Sequence, residues 1–405
     1  MRLLVITDLY PPIAFGGYER TCAELVDGLR ERHEVTVLTS DLRRNAAPEL
    51  AWVRRDLPHL GLERREIPRV PKAAARAAAV TRRALEELHP QLVYVSGCLN
   101  VPQAAPWAAV EAGVPIVYRL SELWFASALY RGDRFVGYLL PGQRGVRRAW
   151  SWVVRAVNRH AALRLDPTRT SPAAISWCSD DLRARATLPS SVRPVLERTI
   201  YDGTSAEFAS LPRRPSVQPT IAYAGRVTTA KGAEVAVRAL ASLRGEHAVP
   251  ARLVLAGPCE PRMARSIERL AAELAVAHEV ELVGPLEQDE LGRLLQRAHA
   301  VVIPTLTHEA FGRVCIEAAL ARVPVVAARV GGIPEALHDG IHALLFRPGD
   351  ADACAAALAA TLRDPAGAQA RVRRAFERAR LFSASRFVEA SEAFLEESAA
   401  VLGRA

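Results

Sequence analysis

Glu309 and Glu317 stand either side of Phe311-Gly312 in a stretch that is otherwise mostly apolar. An ionised group inside an apolar run is unfavourable without a partner, which singles out Glu317. Glu309 falls just before residues (Val314, Ile316, Ala319, Leu320) whose apolar character recurs at helical spacing. The start of a helix offers unpaired N–H groups and the positive end of its dipole, both of which attract anions. Glu309 could therefore simply cap this helix. Taken together, the two carboxylates suggest acceptors for the hydroxyls of a polar ligand, beside backbone donors for its phosphate.

A second constellation is Gly225-Arg226-Val227-Thr228-Thr229-Ala230-Lys231-Gly232, a glycine turn with two cations, followed by helix-forming residues from Ala233. It lacks the spacing of a Walker A loop. Of 53 basic residues only Lys72 and Lys231 are lysines, so a lysine at 231 is a departure from the chain's own habit. A third is Gly16-Gly17, which follows the first apolar run and opens a helix. Paired glycines let backbone N–H groups approach a phosphate, and they also make ordinary tight turns.

These groups need strands to place them. Around the two carboxylates, Ala300 to Pro304 and Pro324 to Ala328 read as buried strands. Gly331-Gly332 then opens another helix, ended by Gly340. Strand, loop, helix, strand predicts a parallel sheet with its loops at the carboxyl edge, where open α/β sheets bind ligands. The N-terminal half repeats the plan, with strands at Leu3 to Thr7, Val35 to Thr39, Leu92 to Ser96 and Pro115 to Leu120. Lys72 to Leu88 is an Ala/Arg-rich helix expected to be a solvated outer face. In the second half, strands are expected at Thr220 to Ala224, Leu253 to Gly257 and Glu279 to Val283, with a helix at Glu290 to Arg297. The Pro-, Ser- and Arg-rich segment Thr199 to Pro219 reads as a linker between two domains.

A chain of 405 residues, half of them apolar, suits two domains that each bury a core. Its net charge of +9 points to anionic partners and does not by itself imply nucleic acid. Six scattered cysteines without a C-x-x-C fit free thiols in a reducing compartment. There is no secretory leader and no membrane-length apolar stretch, so a cytoplasmic location is expected.

Between Phe125 and Arg164 aromatic and basic residues accumulate, and from Val146 to Ala162 they alternate with apolar ones at helical spacing. Such a segment suits a helix lying on an anionic membrane, a clamp for an acceptor, or a helix packed on its own domain. Asp350-Ala351-Asp352 precedes an alanine-rich helix and reads as an N-cap. No cluster has metal-ligand spacing.

Glu309-Ala310-Phe311-Gly312 with Glu317-Ala318, Val323-Pro324-Val325-Val326 and Gly331-Gly332-Ile333-Pro334-Glu335 resembles the E-x7-E signature of retaining glycosyltransferases of family 4. Gly225 to Gly232 is similar to the family's G-R-x4-K-G, Pro12 to Gly17 to its P-x-x-x-G-G loop, and Asp202-Gly203 stands where Asn-Gly is common. The resemblance implies a GT-B fold: two Rossmann-like, doubly wound parallel-sheet domains with an interdomain cleft. The expected acceptor domain covers residues 1–205, with a C-terminal helix, 383–405, packing back on it. Residues 206–382 would bind a UDP- or GDP-sugar without a metal or other cofactor.

On this resemblance Arg226, Lys231 and the N–H groups of Ala310, Phe311 and Gly312 hold the diphosphate, facing Gly16 and Gly17. Glu309 takes hydroxyls of the transferred sugar and Glu317 those of the ribose, with Val283 and Leu286 beside the base. Arg226, Lys231 and Glu309 are the expected catalytic residues. The acceptor would be a sugar, a lipid-linked molecule or a natural product; peripheral contact with the inner membrane face is an option that rests on the aromatic and basic segment alone. Where many members carry His-Asp near the sugar, this chain has Ser121-Glu122, and serine cannot carry a proton as histidine does. Arg119, Ser121, Glu122 or Trp124 then become the candidates on the sugar and acceptor side. A nucleotide-sugar epimerase and a donor-binding protein without turnover are the alternatives.

Overall fold

A computed structural model of the chain describes residues 1–13, 16–42, 50–60, 64–122, 145–160, 170–189 and 191–403. It divides into two compact units, Met1–Tyr201 with Phe387–Ala405, and Asp202–Arg386. The divisions fall a few residues before 205 and after 383.

The first unit contains β1 (Arg2–Thr7), α1 (Gly17–Arg30), β2 (Glu34–Ser40), β3 (Val53–Leu57), α2 (Val70–Leu88), β4 (Leu92–Ser96) and α3 (Ala104–Glu111). After these come β5 (Ile116–Leu120), α4 (Val146–His160), β6 (Ser171–Trp177), α5 (Asp180–Arg185) and β7 (Val192–Thr199). Its seven strands are parallel, in the order β3-β2-β1-β4-β5-β6-β7. Leu4, Val5 and Ile6 of β1 are fully buried. Strands covered on both faces must be apolar almost throughout, which is why the central ones stood out in the sequence.

The second unit runs β8 (Thr220–Ala224), α6 (Ala233–Gly245), β9 (Arg252–Ala256), α7 (Pro261–Glu273), β10 (Val280–Gly284), α8 (Gln288–Arg297) and β11 (Ala300–Ile303). It continues with α9 (Arg313–Leu320), β12 (Val325–Ala328), α10 (Ile333–Ala336), β13 (Leu344–Phe346), α11 (Ala351–Arg363) and α12 (Pro365–Ala379). The six parallel strands lie in the order β10-β9-β8-β11-β12-β13. In both sheets the strand order reverses once, between β1 and β4 and between β8 and β11. Loops leaving those strand pairs diverge and open a crevice at the carboxyl edge.

The last helix, α13 (Ala384–Leu402), returns to the first unit and buries Phe387, Phe394, Leu395 and Leu402 with Leu3, Val5 and Leu25 of its core. Three expectations need correcting. Helix α2 is not simply a solvated face: Ala73, Ala74, Ala77, Ala78 and Ala84 are buried, because small side chains let it lie close against α3. The helix after Gly331-Gly332 ends at Ala336 rather than at Gly340, whose N–H donates to the Ala343 carbonyl in a turn. Strands β3, β6, β7 and β13 were not anticipated. Asp350 does cap α11, its carboxylate accepting from the Ala353 N–H at 2.9 Å. Among the described residues no helix is long and apolar enough to cross a membrane.

Candidate active site

The loops leaving β8 and β11 meet at the reversal of the second sheet. Tyr223, buried in β8, donates its hydroxyl to the Arg226 carbonyl at 2.7 Å and lies 3.4 Å from the Lys231 carbonyl. One side chain thus ties down both cationic positions from beneath. Burial pushes the Tyr223 hydroxyl pKa well above its usual value, so it stays a donor. Gly232 closes the loop with φ of 73°, and a Cβ there would lie 1.9 Å from the Pro304 carbonyl oxygen. Only glycine fits both the left-handed backbone and that approach.

The Ala230 carbonyl bolts the two loops together, accepting from the N–H groups of Leu306 at 2.9 Å and Thr307 at 3.3 Å. Across this junction Lys231 Nζ reaches Glu309 Oε2 at 2.5 Å, the side chains remaining 28% and 22% exposed. Arg226, on the same loop as Lys231, is exposed.

Glu309 and its successors are shaped from below by Gly331-Gly332. A Cβ at Gly331 would stand 2.0 Å from the Glu309 carbonyl oxygen, and one at Gly332 2.4 Å from that of Ala310. The Gly332 N–H donates to the Glu309 carbonyl at 2.8 Å. The chain then enters α9 through Gly312, with φ of 86°, and no side chain caps that helix. Phe311 is buried with its ring 5.1 Å from that of Phe382. Lys231, Glu309, Ala310, Phe311 and Gly312 are therefore gathered at one helix start, where the unpaired ends of the backbone favour negative charge. Glu317 is 6% exposed, and its partner is on its own helix: Arg313 Nε donates to Oε1 at 3.1 Å. That pairing offsets the penalty of a carboxylate among apolar residues. Val283 and Leu286 stand half-buried at the end of edge strand β10, with β9 between it and β8.

In the first unit Gly16 precedes α1 in extended conformation, and it and Gly17 are exposed, with no side chain capping the helix. Asp8, directly after β1, is a site residue that sequence reasoning missed. Its fully buried carboxylate accepts from the N–H groups of Leu99 at 2.7 Å, Asn100 at 2.9 Å and Val101 at 2.8 Å, fixing the loop after β4 to the one after β1. Burial raises its pKa to about 7, against those N–H donors, which favour the ionised form, and the charge of Glu122 adds to the rise. Ser121 and Glu122 are half-buried at the end of β5. Arg119, expected on the sugar side, is instead in the core at 2% exposure: it donates to Ser176 Oγ at 2.8 Å and the Trp177 carbonyl at 3.1 Å, under the Phe387 ring. Position 119 points inward because its strand neighbour is β6 and its cover is α13. Trp124 lies outside the described residues.

Among the described residues, His33, Glu392 and Glu396 are the one trio close enough together to share a metal ion. They belong to the first unit, and Arg32 and His33 are already paired with Glu392.

Comparison with known proteins fits this geometry. Residues 208–379 match the family model described as "Glycosyl transferases group 1", and residues 16–195 the "Glycosyl transferase 4-like domain". D-inositol 3-phosphate glycosyltransferase of Mycobacterium marinum is 36% identical over 170 residues, 41% of this chain and 35% of that protein. Glycogen synthase of Mycobacterium tuberculosis is 34% identical over 232 residues, 56% of this chain and 54% of that one. The chain thus spans between about a third and a half of the curated relatives it matches. Anabaena HepE, solved with UDP and glucose, superposes with a TM-score of 0.68 at 20% identity over 98% of this chain and 99% of its own. Sucrose-phosphate synthase of Thermosynechococcus elongatus gives 0.73 at 19% identity, over 99% and 100%. Each half of the chain thus matches a glycosyltransferase domain model, and the chain has the GT-B fold of these structures.

Proposed function

We propose that this chain transfers a sugar from a UDP- or GDP-sugar to an acceptor hydroxyl of a glycan, glycolipid or natural product, with retention of configuration and without a metal ion. The observation that carries the reading is the Lys231–Glu309 pair at the sheet reversal, between the exposed Arg226 and the uncapped start of α9. A leaving diphosphate gains negative charge as the glycosidic bond breaks. Cations already fixed in place stabilise that charge more in the transition state than in the ground state.

Arg226, Lys231 and the N–H groups of Ala310, Phe311 and Gly312 hold the diphosphate in this scheme, and Gly16 and Gly17 are further candidates for a phosphate contact. As Lys231 turns to phosphate, Glu309 is released to accept from hydroxyls of the sugar. Glu317 keeps one oxygen on Arg313 and offers the other to the ribose. Val283 and Leu286 flank the base, and Ser121 and Glu122 face the sugar and acceptor. Retention follows from front-face attack: the acceptor oxygen bonds to the anomeric carbon on the face the diphosphate leaves, and a donor phosphate oxygen takes the acceptor proton. The two cations supply the charge that a metal would otherwise bring.

HepE was solved with UDP and with UDP-glucose, which makes uridine the first base to test. Thermal unfolding of the full chain with UDP, GDP and their sugars should show a rise in midpoint for one base, since a ligand of the folded state stabilises it. The rise should be lost in Lys231→Ala. No response to any nucleotide, or an unchanged response in that variant, would overturn the donor site. Conversion of the sugar without acceptor would move the chain to the epimerases.

A further inference from the structure

We propose that the outer face of α4 docks on the surface of an anionic lipid bilayer. The inference stands apart from the sugar-transfer reading. One side of this helix is spoken for: Ser151 and Val154 are buried, and the helix packs on α2. At 3.6 residues per turn, Arg148, Trp152, Arg155 and Arg159 fall together in one stripe that flanks the buried side, roughly 100° round the helix axis from it. All four are exposed, Trp152 at 76%, and Val153 beside it at 48%. Arg155 also donates to Ser151 Oγ at 3.3 Å, which anchors its stem to the helix. No acidic residue occurs from Gly145 to His160.

An indole ring held in water among like charges, with no carboxylate on the helix, suits an occupant that is both negative and partly apolar. A bilayer surface supplies both: anionic headgroups for the guanidinium groups, and the headgroup–acyl boundary for tryptophan, where its ring is at home. Arginine stems lie along the apolar boundary while their heads stay with the phosphates. The net charge of +9 acts in the same direction at longer range. One tryptophan and one valine bury little apolar area, so attachment depends on charge and must weaken as salt screens it.

The test is co-sedimentation of the full chain with vesicles of phosphatidylcholine, with and without roughly 30% phosphatidylglycerol. The intact protein should partition onto the anionic vesicles alone and be released as salt is raised from about 0.1 to 0.5 M. Trp152→Ser, and separately the pair Arg148→Gln with Arg159→Gln, should each lower the partition coefficient by about tenfold or more. These side chains are exposed, so an unchanged thermal midpoint checks that the fold is intact. No binding to anionic vesicles, equal binding to neutral ones, or unaltered binding in both variants would overturn the proposal. Self-association without vesicles that Trp152→Ser abolishes would give the face to a second copy, and would overturn it too.

Discussion

Lys231 Nζ lies 2.5 Å from Glu309 Oε2, and the two residues belong to loops that leave neighbouring strands, β8 and β11. The lysine proposed to bind phosphate is therefore already held by a carboxylate from across the sheet reversal. A nucleoside diphosphate entering this site competes with Glu309 for the ammonium. Glu309→Gln removes the competitor's charge and keeps its shape. We expect free UDP or GDP to bind several-fold more tightly to this variant while turnover falls by about a hundredfold, on the scale of a lost transition-state contact. Calorimetry with the free nucleotide and steady-state transfer rates check the two halves separately. Weaker nucleotide binding in Glu309→Gln would show that the ion pair organises the site rather than guarding it.

Tyr223 holds the backbone of both cationic positions with one hydroxyl. Tyr223→Phe keeps the ring in the core and leaves the Arg226 carbonyl without this donor. Stability should fall by about 1 kcal/mol, the usual worth of a hydrogen bond. Turnover should fall by roughly tenfold, because cations displaced by fractions of an ångström no longer meet the developing charge. Urea unfolding and transfer assays on one preparation compare the losses. Unchanged turnover with lowered stability would make Tyr223 a core residue only.

How much of this could be read in the sequence depended on where each group finds its partners. Strands β8, β11 and β12 are covered on both faces, so they read as short apolar runs, and the glycines that follow them mark the turns. These runs locate the loops that carry Lys231, Glu309 and Gly312, while only the family resemblance implies that the three serve one diphosphate. Edge strands betray themselves less: β3, Val-Arg-Arg-Asp-Leu, and the half-exposed β7 carry charges because one flank meets water. Asp8 escaped notice because its three donors come from residues 91 to 93 positions away. Tyr223 looked like any aromatic in a strand, since a hydroxyl's target exists only once the loop has folded. Arg119 was misjudged for a related reason: a charged residue at a strand's end reads as a ligand contact until β6 and α13 are seen to enclose it.

Gly332 gives a steric test of the loop that carries Glu309. Its backbone φ is −76°, open to any residue, so only space forbids a side chain. A Cβ at 2.4 Å from the Ala310 carbonyl oxygen must push the 309–311 backbone away, and backbone yields less readily than a side-chain tip. Gly332→Ala should cost about 2 kcal/mol or more of stability. Nucleotide affinity should drop more than it does in Tyr223→Phe, because the start of α9 moves with the loop. Wild-type affinity in the alanine variant would mean that the phosphate rests elsewhere.

Asp8 makes a pH prediction whose sign follows from its surroundings. Its folded pKa is raised from 3.8 to about 7, with burial as the largest cause. Between those values the folded chain holds a proton that the unfolded chain has released. Stability therefore decreases with rising pH across this window, and the contribution of the protonated carboxyl is gone above about 7. Asp8→Asn cannot titrate, so the difference in urea midpoint between wild type and variant should change steadily from about pH 4 to 7 and then level off. The amide also turns a donor toward N–H groups that need acceptors, which adds a pH-independent penalty of about 1–3 kcal/mol to that changing difference. A difference that stays flat across the window would mean that the three N–H donors keep Asp8 ionised, outweighing its burial.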